Sequence, residues 1–236
     1  MFASPREGGG ATTTMANVGA VLAQAGHQVI LVSADLRGPT LHHIFGLQNG
    51  RGLSTAVLEG KNIERLLKGT LIPNLFLLNA GPEPEDPAAL LSSPGTAQVF
   101  DSLLALKPDF ILVDAPPVLS VSDAMVLSRQ VDGTVVTWNA EDFKAPALAG
   151  ARDRLDRAGA NILGAIYSFD SGKPRGGGSQ LANMPRAQAV APPDRRRATV
   201  SGGPVEESFD RIDPVPPRDQ VGAAPSRSRA PGRIPS

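Results

Sequence analysis

Ser4-Pro5-Arg6-Glu7-Gly8-Gly9-Gly10-Ala11-Thr12-Thr13-Thr14 reads as a glycine-rich turn that runs straight into a helix. Glycines let successive backbone N–H groups point into one concavity, and the positive end of the helix dipole behind them favours an anion there. A threonine hydroxyl at the helix start completes the sphere of a Mg²⁺ carried by phosphates. The phosphate-loop pattern G-x-x-x-x-G-K-[ST] asks for lysine before that threonine, and this chain has Ala11. Taken singly, the stretch is equally a flexible glycine turn before a helix.

The flanking sequence decides between these readings. Thr12 to Ala25 places Met15, Val18, Val21 and Leu22 at helical spacing and is followed by Gly26. Apolar β-type runs then alternate with helical patterns, the signature of a parallel sheet covered by helices. Strands are expected at Gln28–Ser33, Asn74–Asn79, Asp109–Asp114, Gly133–Trp138 and Asn161–Tyr167, and helices at Thr96–Leu106, Ser122–Arg129 and Lys144–Ala158, the last with Pro146 in its first turn. The strands read as continuous apolar runs, as expected where both faces are buried. Such a sheet places a central strand ahead of its glycine turn, yet only Met1, Phe2 and Ala3 precede Ser4. That first strand is therefore expected to be missing or to lie upstream.

Two carboxylates stand where an α/β sheet binds ligands. Val29-Ile30-Leu31-Val32-Ser33-Ala34-Asp35 and Phe110-Ile111-Leu112-Val113-Asp114-Ala115-Pro116-Pro117 each carry an acid at the C-terminal end of a strand. The second has the Walker B form, in which the acid holds Mg²⁺ or its water beside nucleotide phosphates. Each has a plainer reading as a strand end with a turn. The three elements in this order support a nucleotide site together.

Charge divides the chain in two. Residues 1–170 carry 12 Lys/Arg against 17 Asp/Glu, whereas residues 171–236 carry 11 against 6 and half of the 22 prolines. The second segment has few bulky apolar residues and is expected to be a disordered tail, leaving one folded domain over residues 1–170. The absence of cysteine excludes a disulfide scaffold, a thiol nucleophile and a thiolate-bound metal. Three histidines argue against a His-rich metal centre; His42 and His43 read as surface or packing residues of a short helix. No apolar run approaches the roughly 18 residues needed to span a bilayer, so a cytoplasmic location is expected. The acidic domain argues against a specific nucleic-acid partner.

Residues Ser4 to about Asp170 resemble the cytoplasmic P-loop domain of the bacterial tyrosine kinases of capsular and exopolysaccharide synthesis. Beyond the three elements above, Asp35-Leu36-Arg37-Gly38-Pro39 is similar to that family's Walker A′ ending. Leu41–Leu47, Gly52-Leu53-Ser54, Gly81–Leu91 and Val118–Ala124 are similar to its connecting segments. The resemblance implies a domain that binds Mg²⁺·ATP and passes the γ-phosphoryl group to tyrosines, usually in its own tail, while cycling through a homo-oligomer. It also implies a membrane-spanning polysaccharide chain-length regulator or export protein as partner, holding the domain at the inner face of the cell membrane. The backbone of Gly8, Gly9, Gly10, Ala11, Thr12 and Thr13 is then expected to cradle the phosphates. Thr12, Asp35 and Asp114 are expected to hold Mg²⁺, with Asp35 and Asp114 as the catalytic carboxylates.

Several residues depart from that pattern. Ala11 replaces the lysine, Ser33 replaces the first acid of the Walker A′ pair, and Ser168 stands where the family commonly has Asn near the adenine. The single tyrosine, Tyr167, lies in the last expected strand and not in the tail. Arg6 stands where related deviant-loop ATPases carry an extra lysine. These departures favour a degenerate kinase-like domain. The alternatives are an active autokinase whose lysine is supplied otherwise, and a non-enzymatic scaffold using tail prolines such as Pro192-Pro193.

Overall fold

The computed structural model describes residues 1–60, 62–139 and 145–168, and these form the expected α/β architecture. The chain runs β1 (Phe2–Ala3), α1 (Ala11–Gln24), β2 (Val29–Ser33), α2 (Leu41–Ile44), α3 (Leu53–Glu59), α4 (Ile63–Leu66), β3 (Lys68–Gly69), β4 (Leu75–Leu78) and α5 (Pro87–Ser92). It continues through α6 (Pro94–Ala105), β5 (Phe110–Asp114), α7 (Asp123–Ser128), β6 (Thr134–Asn139), α8 (Ala145–Arg157) and β7 (Ile162–Ser168). The sheet has the order β3-β4-β2-β5-β1-β6-β7, and only β3 pairs antiparallel with its neighbour. The tail expected over residues 171–236 lies outside the described residues. No helix among the described residues is long and apolar enough to cross a membrane.

Alternation along the strands builds two cores, one on each face of the sheet. Val29 and Leu31 of β2, with Leu75 and Leu77 of β4, pack against Met15, Ala16, Ala20 and Ala23 of α1. Ile30, Val32, Leu78 and Val113 point the other way, toward Leu53, Leu91, Leu103, Leu127 and Leu155 from the later helices. This is the three-layer arrangement the alternating sequence pattern implies.

The sequence leaves no apparent room for the first strand, but the structure places one there. Phe2 pairs with Asp114 of β5 on one side and Val135 of β6 on the other, and Ala3 pairs with Val136. The N–H of Ala115 donates to the Phe2 carbonyl at 3.0 Å and that of Val135 to the Met1 carbonyl at 2.8 Å. Both side chains are buried, and β1 meets β5 at Asp114, the last residue of that strand, so that the glycine turn begins at the C-terminal end of β5. The expectation of fully buried strands needs a related correction. Phe110 is 36% exposed, and Ile111 and Leu112 are only partly buried, although β5 lies inside the sheet. Among the described residues, β1 pairs with β5 at Asp114 alone.

The short elements α3, α4, α5 and β3 are absent from the sequence expectations because none is long enough to show a period. Local chemistry sets some of their ends. The Asp86 carboxylate accepts from the Ala89 N–H at 3.0 Å, and Pro87 fills the first turn of α5, where its missing N–H costs nothing. Gly52, ahead of α3, is required by close approach: a Cβ there would overlap the Asn79 carbonyl, which already accepts from the Leu53 N–H at 2.7 Å. Gly52→Ala is expected to destabilise the domain by about 3 kcal/mol, read as a lowered denaturation midpoint, because backbone and not a flexible side chain would have to yield. An unchanged midpoint would contradict this packing.

Candidate functional site

A cleft of about 540 Å³ opens at the C-terminal edge of the sheet, and its walls include the glycine turn, the loop after β2 and the loop after β5. The topology puts it there. From β1 the chain crosses to β2 on one side of it, while β5 leads to β6 on the other, so the loops diverge and leave a crevice.

The glycines of the turn are needed for two different reasons. Gly8 and Gly10 have φ of 79° and 80°, a left-handed conformation that disfavours side chains. Gly9 is buried, and a Cβ on it would lie 2.5 Å from the Ser4 Cβ. Gly9→Ala is therefore expected to displace the loop and weaken anion binding at least about tenfold in a titration, since misplaced donors lose charge-assisted bonds of about 1.5–3 kcal/mol each. Asn139, at the end of β6, donates to the Gly8 carbonyl at 2.8 Å and so anchors the loop from the opposite side. Sequence reasoning overlooked Asn139; its only signal is a polar residue closing the apolar strand Thr134–Asn139. Ser168 also lies beside the turn, its hydroxyl 3.6 Å from where a Gly10 Cβ would be.

Helix α1 starts at Ala11 with no side chain capping its first turn. The Thr12 hydroxyl instead donates to Asp114 Oδ1 at 3.1 Å. Asp114 is 1% exposed, and its second oxygen, Oδ2, has no hydrogen-bond partner among the described residues. Burial pushes its carboxyl up to about 7; the Thr12 bond works against that shift and nearby Asp35 adds to it. Ser33, the register neighbour of Asp114 on β2, is buried with an equally unpartnered hydroxyl. Asp35 is half-buried and lines the cleft, and its Oδ1 accepts the N–H groups of Arg37 and Gly38 at 3.2 and 3.0 Å.

Of the site residues expected from the sequence, Gly8, Gly9, Gly10, Ala11, Thr12, Thr13 and Asp35 line one cleft, and Asp114, outside that lining, joins them through its bond to Thr12. An orphaned buried carboxylate oxygen beside a threonine hydroxyl is the donor set a hard divalent cation takes. Cationic groups are scarce. Ala11 is 7% exposed, Arg6 is exposed and outside the lining, and Arg37 is the one basic residue in the lining among the described residues. His42 and His43 sit on α2 away from this lining, with ring centres 3.9 Å apart.

No family model matches the chain. Tyrosine-protein kinase YwqD of Bacillus subtilis is 36% identical over 168 residues, covering 71% of this chain and 70% of that protein. The kinase domain of the Escherichia coli tyrosine kinase ETK superposes with a TM-score of 0.69 at 27% identity, over 73% of this chain and 68% of that one. The septum site-determining protein MinD of Pyrococcus horikoshii, solved with Mg-ADP, gives a TM-score of 0.58 at 26% identity, over 70% of this chain and 68% of that one.

Proposed function

This chain belongs to the bacterial tyrosine-protein kinases, and on that premise we propose that its cleft binds a Mg²⁺-nucleotide while its capacity for phosphoryl transfer is reduced by Ala11. The observation that carries the reading is the Oδ2 of Asp114, buried and unpartnered among the described residues, beside the start of α1. Backbone N–H groups from Gly8 to Thr13 would receive the phosphates, aided by the helix dipole. Thr12, Asp35 and Asp114 would hold Mg²⁺, which when bound supplies charge neutralisation between phosphate oxygens. Asp114 and the Thr12 hydroxyl are already joined, so the two need little rearrangement to act together.

The lost lysine weighs on both binding and catalysis. A charge-assisted contact contributes about 1.5–3 kcal/mol to binding, and removing a transition-state donor slows chemistry by roughly 10²–10³. Arg37 offers no ready substitute, since its guanidinium is engaged with Asp123 at 3.0 Å. The folded unit is proposed to extend over residues 1–170, with residues 171–236 a separate tail. The family resemblance supports a role in capsular or exopolysaccharide synthesis. In that setting a membrane-spanning chain-length regulator or export protein is the proposed partner, at the cytoplasmic face of the membrane and within a homo-oligomer.

Isothermal titration of the chain with Mg²⁺·ADP and Mg²⁺·ATP tests the reading, followed by a phosphoryl-transfer assay on a tyrosine peptide. Saturable binding abolished by Asp35→Ala, with transfer that is slow or absent, is the expected result. Rapid transfer would make the chain an active kinase. Absence of binding would leave a scaffold and remove the nucleotide reading.

A further inference from the structure

An ion pair joins the loops that follow β2 and β5. Arg37 follows β2 in the loop that carries Asp35, and Asp123 opens α7 after the loop that follows β5. The Arg37 Nε donates to Asp123 Oδ2 at 3.0 Å and its Nη2 to Oδ1 at 3.4 Å, a two-pronged contact that fixes the guanidinium plane. Asp123 is fully buried, with 0% exposure, while the Arg37 side chain is 41% exposed. Leu36, between Asp35 and Arg37, is 1% exposed and seated in the core. The backbone of the same short loop folds around Asp35, whose Oδ1 takes the N–H groups of Arg37 and Gly38.

We propose that Arg37 is a positioning residue: clasped to Asp123, it holds the loop so that Asp35 presents its remaining carboxylate oxygen to the cation of the bound nucleotide. This rests on the nucleotide reading of the cleft. The alternative, that Arg37 replaces the absent lysine as a phosphate ligand, requires it to leave Asp123. That would strand a fully buried carboxylate without its partner, which is a costly state. The Asp123 hydrogen bond above all, with smaller contributions from the charges of Asp86 and Glu83, favours the charged form of the guanidinium. Arg37 meets Asp35 through its backbone N–H and meets Asp123 through its side chain; a residue that orients a metal's holder acts on metal affinity, and losing such support typically lowers that affinity 10- to 100-fold.

The two roles differ in sign at Asp123. In titrations of ADP with Mg²⁺ and again with EDTA, Arg37→Gln and Asp123→Asn should each weaken the Mg²⁺-dependent affinity by about tenfold or more. Both should leave the metal-free affinity unchanged. The double variant, which buries no unpaired charge and so guards against misfolding, should be no weaker than either single one. If instead Asp123→Asn binds ADP as well as or better than the parent while Arg37→Gln loses affinity in both arms, Arg37 is a phosphate ligand and the clasp is overturned. Amide hydrogen exchange on the nucleotide-free chain gives a reading independent of binding. The Arg37 and Gly38 amides should exchange at least about tenfold faster in the double variant, as expected when a local closure is lost. Unchanged exchange overturns the positioning role whatever the titrations show. Faster exchange in a chain that binds no nucleotide would keep the clasp and refute the function proposed for the cleft.

Discussion

Ala11→Lys is expected to tighten Mg²⁺·ATP binding by about 10- to 100-fold, because one charge-assisted contact contributes about 1.5–3 kcal/mol and each 1.4 kcal/mol is a factor of ten. Phosphoryl transfer should rise further, by roughly 10²–10³, since the developing charge gains a donor that the natural chain lacks. The geometry favours the substitution: Ala11 is the first residue of α1 and lines the cleft. It is also 7% exposed and belongs to the core cluster that includes Met15 and Leu31, so some loss of stability should accompany the gain. Calorimetry beside a thermal melt separates the two effects. Unchanged affinity in a variant that still melts cooperatively would show that the deficit lies deeper than the lysine, with Ser33 the next residue to convert.

Asp114→Asn should have opposite effects on the empty and the loaded protein. Burial raises the Asp114 carboxyl to about 7, whereas an unfolded chain ionises it near 3.8. The folded state therefore prefers the neutral acid, and its stability falls as pH rises from about 4 to about 7, then stays level above that. At 1.36 kcal/mol per pKa unit, the cost of the ionised group at neutral pH is about 4 kcal/mol. Asparagine carries no such cost. The variant should melt close to the parent at pH 4 and well above it at pH 8. The same change removes the negative charge a cation needs, so Mg²⁺-dependent nucleotide binding should be lost at every pH. In the parent, that binding should strengthen as pH rises toward 7 and the carboxylate ionises. Parallel stability curves for parent and variant between pH 4 and 8 would refute the account of Asp114.

Much of the site is legible in the sequence because its parts are local. A glycine run before a helix, and an acid after four apolar residues, each express one structural rule over a few positions. That is why Gly8 to Thr13, Asp35 and Asp114 are identifiable before any fold is seen. Asn139 is not, since nothing in Thr134–Asn139 reveals that its amide will meet the Gly8 carbonyl 131 residues away. The partnership of Arg37 with Asp123 is hidden for the same reason: the two are 86 residues apart and meet only because β2 and β5 are neighbours.

The architecture is readable from strand runs alternating with amphipathic helices, and Ala11, Ser33 and the two aspartates are readable as residues of the candidate site. Both follow from side-chain identity and short-range periodicity. Three features depend on the tertiary structure: that Phe2 and Ala3 pair as a strand between β5 and β6, that Asp114 is sealed from water with one oxygen unpaired among the described residues, and that Arg37 is held by Asp123. Each depends on which strands lie side by side and how much solvent remains between them, and burial is what turns a surface-type residue into a neutral acid or a fixed ion pair.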